Sequence, residues 1–109
     1  MTFELIHRDS CLVVCISGDI DHHSAAQIRT AADPEIERVM PSMLIFDLGD
    51  VSFMDSSGVG LILGRQRLME SLGGAVAVKN PPPAVRKIIT LAGLSRLILN
   101  GDKTERTGK

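Results

Sequence analysis

The run Leu44-Ile45-Phe46-Asp47-Leu48 is almost wholly apolar, and a few residues later Asp55-Ser56-Ser57-Gly58 opens a segment of helical period. A strand with one wet face alternates apolar and polar residues, whereas a nearly continuous apolar run is expected of a strand covered on both faces by helices. Strand followed closely by helix is the unit from which parallel sheets are wound, because parallel neighbours need a long crossover. This one stretch therefore points to an α/β fold.

The rest of the chain supplies the other pieces. Phe3 to His7 and Leu12 to Ser17 are β-prone runs separated by the turn residues Arg8-Asp9-Ser10, which predicts an antiparallel hairpin. Gly18 is expected to end the second strand and Asp19-Ile20-Asp21-His22-His23 to form a polar loop. Ser24 then caps a helix whose apolar positions Ala25, Ile28, Ala32, Ile36, Val39 and Met40 recur at helical spacing. Pro34 either kinks that helix or starts a second one. The next helix is expected from about Ser57 to Leu72, ended by Gly73-Gly74, with Leu61, Ile62, Leu68, Met69 and Leu72 facing the sheet. Val59 and Leu63 fall off that stripe, so they either form an apolar docking patch near the serines or turn inward with a small rotation of the helix. Gly60 and Gly64 invite close approach of a neighbouring backbone, at a helix-propensity cost of about 1 kcal/mol each relative to Ala.

Ala75 to Val78 reads as a strand, Asn80-Pro81-Pro82-Pro83 as a rigid loop, and Ala84 to Leu91 as a helix with Val85, Ile88, Ile89 and Leu91 apolar and Gly93 as its cap. Leu97 to Leu99 is expected as a last short strand. One domain over residues 1–100 followed by a polar tail, 101–109, is the expected organisation, since 109 residues suffice for one core and not for two. The element order ββαβαβαβ predicts a mixed sheet, an N-terminal antiparallel hairpin continued by parallel crossovers, flanked by helices.

Several functions lose support. A net charge of −1 with mixed signs offers no basic face for DNA or RNA. The first residues lack a signal-peptide pattern and no apolar run reaches bilayer length, so the expectation is a cytoplasmic protein with no membrane partner. Cys11 and Cys15 lie about 13 Å apart along one strand, out of disulfide reach, and are expected as reduced core thiols. No GxxxxGK[ST] loop is present, and Gly58-Val59-Gly60 lacks the remainder of a dinucleotide fingerprint, so no nucleotide cofactor is indicated. Ser56 has no GxSxG elbow and no ordered triad. His22-His23 with Asp19 and Asp21 is better read as helix-capping loop chemistry than as a metal site, because adjacent extended residues point apart.

What remains is a serine at a helix start without catalytic machinery. Unpaired N–H groups and the positive end of the helix dipole favour an anion there. Ser56 thus reads as a substrate for phosphorylation; the alternative is that Asp55, Ser56 and Ser57 are simply capping residues. A phosphate would be tolerated by the domain but not by a partner docked on it, giving a binding switch without a change of fold.

Three stretches carry a family likeness: Gly18-Asp19-Ile20-Asp21-His22-His23-Ser24-Ala25, the long run from Asp50 through Asp55-Ser56-Ser57-Gly58-Val59-Gly60 to Arg65, and Gly73-Gly74. With these the chain resembles the STAS-domain anti-sigma factor antagonists, on their sporulation sigma F side. The resemblance implies that Ser56 is the phosphoacceptor and that the unphosphorylated form binds an anti-sigma factor that is also a serine kinase, releasing the sigma factor. Phosphorylation by that kinase switches binding off, and a PP2C-type phosphatase restores it. Asp21 matches a family loop acid, which the resemblance places on a kinase-facing surface with Ser57, Gly58 and Val59; Asp55, from the serine motif, and Leu63, from the candidate apolar patch, are expected on the same surface. The chain's own motifs indicate no catalytic residues, no cofactor and no metal. A STAS module serving as sensor, scaffold or nucleotide-binding domain is the other reading. The chain departs from the family pattern at Pro34, inside a normally continuous helix, and at residues 101–109, which supply no closing amphipathic helix.

Overall fold

The computed structural model describes residues 1–99. Strands β1 (Thr2–Arg8) and β2 (Cys11–Ile20) form the expected hairpin, with Arg8 opposite Cys11. Asp9 makes the tight turn in the left-handed region at φ 56°, which Asp tolerates better than most residues. Helix α1 (His22–Val39), strand β3 (Met43–Met54), helix α2 (Ser56–Ser71), strand β4 (Ala75–Lys79), helix α3 (Pro83–Leu91) and a 3-10 turn (Ser95–Leu97) follow. The sheet order is β1-β2-β3-β4, antiparallel in the first pair and parallel in the other two.

All three helices share one core with one face of the sheet. Leu12, Val14 and Ile16 of β2 and Leu44, Phe46 and Leu48 of β3 are buried against Ile28, Ala32 and Ile36 of α1, Leu61, Ile62 and Met69 of α2, and Val85 and Ile89 of α3. The residues between them, Cys11, Val13 and Cys15 on β2 and Met43, Ile45 and Asp47 on β3, are only half-buried. Leu44 to Leu48 is therefore covered by helices on one face rather than on both, and the strand period of two shows in its burial. The two cysteines lie on this second face and outside the core cluster; burial, with Asp47 and Glu4 nearby, still pushes the Cys15 thiol up.

Other expectations are corrected where tertiary pairing outweighs local signals. Gly18 does not end β2: it sits at φ 92° within a register irregularity, and the strand continues through Asp19 and Ile20 because Ile20 pairs with Met54. Helix α1 runs unbroken through Pro34, which lies on its exposed face while Ile28, Ala32 and Ile36 anchor the helix on both sides of it. Met40, expected on the apolar stripe, instead ends the helix in the left-handed conformation, and Leu91 of α3 is 77% exposed. Leu97 to Leu99 forms no extended strand: a 3-10 turn leads into a single parallel bridge between Ile98 and Val78. The tail expected at 101–109 lies outside the described residues.

Candidate functional site

The neighbouring parallel strands β2 and β3 end side by side, with Ile20 paired to Met54 and the Asp55 N–H bonded to the Ile20 carbonyl at 3.3 Å. Each strand turns directly into a helix, so the N-termini of α1 and α2 open next to each other at the carboxyl edge of the sheet. Each begins with an aspartate. Asp21 caps α1 by accepting the Ser24 N–H at 2.9 Å, while the Ser24 hydroxyl accepts the Asp21 N–H at 2.8 Å. This is a reciprocal capping box, so Ser24 occupies the third helical position rather than the cap expected from sequence. The hydrogen bonds from Ser24 hold the Asp21 carboxyl below its ordinary range. Asp55 caps α2 by accepting the Ser57 N–H at 2.8 Å.

Ser56 is the first residue of α2 and is exposed. Ser57, half-buried, is held by the cap. Asp21, Asp55, Ser56 and Ser57 are thus brought to one edge. The other residues singled out in the sequence sit elsewhere. Gly58 is buried: a Cβ there would overlap Met54 Cγ outright, come within 2.6 Å of its Sδ and reach 3.3 Å from Ile20 Cγ2. Val59 and Leu63 are half-buried and packed on the core, so the helix is rotated to turn them largely inward. Leu63 also lies seven residues beyond Ser56, about 10 Å along the helix axis.

Two features escaped the sequence analysis. Phe53, next to buried Met54 on β3, is 52% exposed at the same edge; its alternation with Met54 was the available signal. Arg65 is the other. Charged residues are seldom buried, yet it is 8% exposed, with Nε 3.0 Å from Asp33 Oδ1 of α1. That contact lies off the N–H direction, so among the described residues neither buried atom has a hydrogen bond. Burial pulls the Arg65 pKa down; Asp33 opposes this and Arg29 adds to it. Among the described residues no group of three or more His, Cys, Asp or Glu side chains is placed to hold a metal ion, and no helix is long and apolar enough to cross a membrane.

Comparison with known proteins agrees with this arrangement. The family model described as the STAS domain matches residues 2–108. The anti-sigma F factor antagonist of Lysinibacillus sphaericus is 38% identical over 102 residues, covering 94% of this chain and 85% of that protein. The anti-sigma factor antagonist SpoIIAA in its unphosphorylated form superposes with a TM-score of 0.84 at 34% identity, covering 97% of this chain and 96% of SpoIIAA. The Bacillus cell fate determinant SpoIIAA in the phosphorylated form gives 0.76 at 33% identity, covering 97% and 99%. With a mixed four-stranded sheet, three helices on it and relatives of this kind, the chain belongs to the STAS-domain family of anti-sigma factor antagonists.

Proposed function

We propose that this protein acts as a phosphorylation-switched antagonist: unphosphorylated, it binds an anti-sigma factor serine kinase and releases the sigma factor, and a phosphate on Ser56 ends that binding until a PP2C-type phosphatase removes it. The observation that carries the reading is Ser56 itself, an exposed hydroxyl at the first position of α2, beside the N-terminus of α1. The likeness to SpoIIAA in both unphosphorylated and phosphorylated forms supports a fold that tolerates the modification.

The electrostatics explain why the switch acts on the partner. A phosphoserine carries roughly −1.5 to −2 charges at neutral pH. The N-terminus of α2 offsets part of that, by about 0.3–1 kcal/mol at an exposed site. A partner seated over Ser56 would have to desolvate the phosphate beside the carboxylates of Asp21 and Asp55, an effective cost of several kcal/mol and therefore orders of magnitude in affinity. Asp21, Asp55 and Ser57 frame the docking surface, with Gly58, Val59 and Leu63 setting the position of α2 beneath it. The protein is a substrate and a binding partner rather than an enzyme, and it works in the cytoplasm.

Intact-protein mass spectrometry after incubation with ATP and an anti-sigma F serine kinase tests this directly. One added phosphate on the parent chain and none on Ser56→Ala is expected, together with loss of kinase binding in Ser56→Asp. Absence of transfer from a kinase active on its own antagonist, or phosphate on Ser56→Ala, would overturn the assignment.

A further inference from the structure

Helix α2 carries Gly60 and Gly64 on one face, each unfavourable in a helix interior. Neither glycine is there to let α1 come close: a Cβ built at either position meets nothing among the described residues within 4 Å. Both instead line an open groove of about 380 Å³ between α1 and α2, which Ser57 connects to the edge that carries Ser56. Among the described residues, the ionisable side chains lining this groove are His22 and Arg29 from α1 and Arg65 from α2, with no carboxylate. Arg65 is nine-tenths buried, and its Nε has no hydrogen bond among the described residues although Asp33 lies 3.0 Å away. Asp33 offsets the charge of Arg65, but the exposed guanidinium of Arg29 lines the same groove beside it, so the groove is positive and suits an acceptor of negative charge. A glycine floor admits a polypeptide backbone closely enough to deliver one.

We propose that this groove receives an acidic side chain of the docked partner, a Glu or Asp held by Arg65 and Arg29 with its backbone lying over Gly60 and Gly64. The inference rests on the partner-binding reading above and extends the docking surface from the Ser56 edge along α2. It assigns the two glycines to recognition rather than to packing, and Arg29 and Arg65 to selecting a partner with a carboxylate at that point. Because the groove lies beside the phosphorylation site rather than on it, it contributes to affinity without being altered by the switch.

The double variant Gly60→Ala/Gly64→Ala and the single variant Arg29→Glu test it against an anti-sigma F serine kinase by calorimetric titration at low and high salt. The double variant is expected to melt at a higher temperature than the parent, since both positions have room for a methyl group, and yet to bind about tenfold more weakly. Arg29→Glu is expected to lose about tenfold at low salt, with the loss shrinking at high salt. Parent-like binding by both variants would overturn the proposal. Failure of the parent itself to bind would count against the partner reading instead, and the groove is then judged by NMR titration with a blocked tetraglutamate peptide and with inorganic phosphate. Peptide-induced shifts at the Gly60 and Gly64 amides and at the Arg65 side chain, absent in Arg29→Glu, would support it; a response to phosphate alone, or to neither, would overturn it.

Discussion

Alanine in place of glycine has opposite consequences at two positions of α2, and the sign follows from what lies beyond each Cα. At Gly58 the new methyl would overlap Cγ of Met54, a side chain only 1% exposed, and would press on Ile20, equally buried. Cγ is next to the backbone end of that side chain, so relief requires Met54 to change rotamer inside a closed core. Overpacking of this kind costs about 1–3 kcal/mol, and the closeness of the overlap places Gly58→Ala near 3. The gain in helix propensity returns about 1 kcal/mol, leaving a net loss of about 2. For a domain of this size that lowers the melting temperature by about 10 °C. In urea it lowers the midpoint by about 1 M at a slope of about 2 kcal/mol per molar. Gly64→Ala, with no described residue within 4 Å of the new atom, keeps only the propensity gain and should raise stability by about 1 kcal/mol. Circular dichroism melts and urea titrations of the two variants read both effects. In a double-mutant cycle, Met54→Ala should remove the overlap and with it the cost of about 3 kcal/mol, leaving Gly58→Ala with only its propensity gain. A Gly58→Ala protein as stable as the parent, or a cycle with no coupling, would refute the claim that Met54 fixes glycine at this position.

Three further outcomes are expected. Ser24→Ala removes the half of the capping box that satisfies the Asp21 N–H and should cost about 1 kcal/mol in urea unfolding, while Ser24→Thr, which keeps the hydroxyl, should recover most of it. Asp21 and Glu35 are both held below their ordinary values of 3.8 and 4.5, by hydrogen bonds from Ser24 and from Arg38 respectively. Their contributions to stability are therefore complete above those values and are lost as pH falls through the lower folded-state ones, so stability should decline below about pH 4. Asp21→Asn should flatten that decline, and an unchanged acid titration of stability would contradict the capping geometry. Asp33→Ala leaves the Arg65 guanidinium without its carboxylate and should cost about 1–3 kcal/mol. Adding Arg65→Met should restore part of the loss, which a double-mutant cycle by thermal melting would detect.

The parts of this fold that were legible in the sequence are those encoded within a few residues. Alternation and turn residues located β1 and β2, helical spacing located α1, α2 and α3, and the Asp55-Ser56-Ser57-Gly58 start of α2 was read to within one residue. A cap or a turn is satisfied by its own neighbours in the chain, so its signal survives without knowledge of the rest. Local signals failed where a distant strand supplied the hydrogen bonds. Asp19 and Ile20 read as loop, yet Ile20 has Met54 to pair with and the strand continues. His22 and His23 also read as loop, but the cap lies at Asp21 and both belong to the first turn of α1.

The sequence by itself determined that this is an α/β chain with a serine displayed at a helix start after an apolar strand, because strand period, helix period and capping chemistry are local properties. Only the tertiary structure decided which face of each element is used. It placed all three helices against one face of the sheet and turned Val59 and Leu63 mostly inward. It buried Gly58 under Met54 while leaving Gly60 and Gly64 over an open groove, and it drew Arg65 into the seam with Asp33. Identical residues two positions apart on α2 thus acquire different duties, because the rotation of a helix and its distance from the next are set by the packing of the whole core.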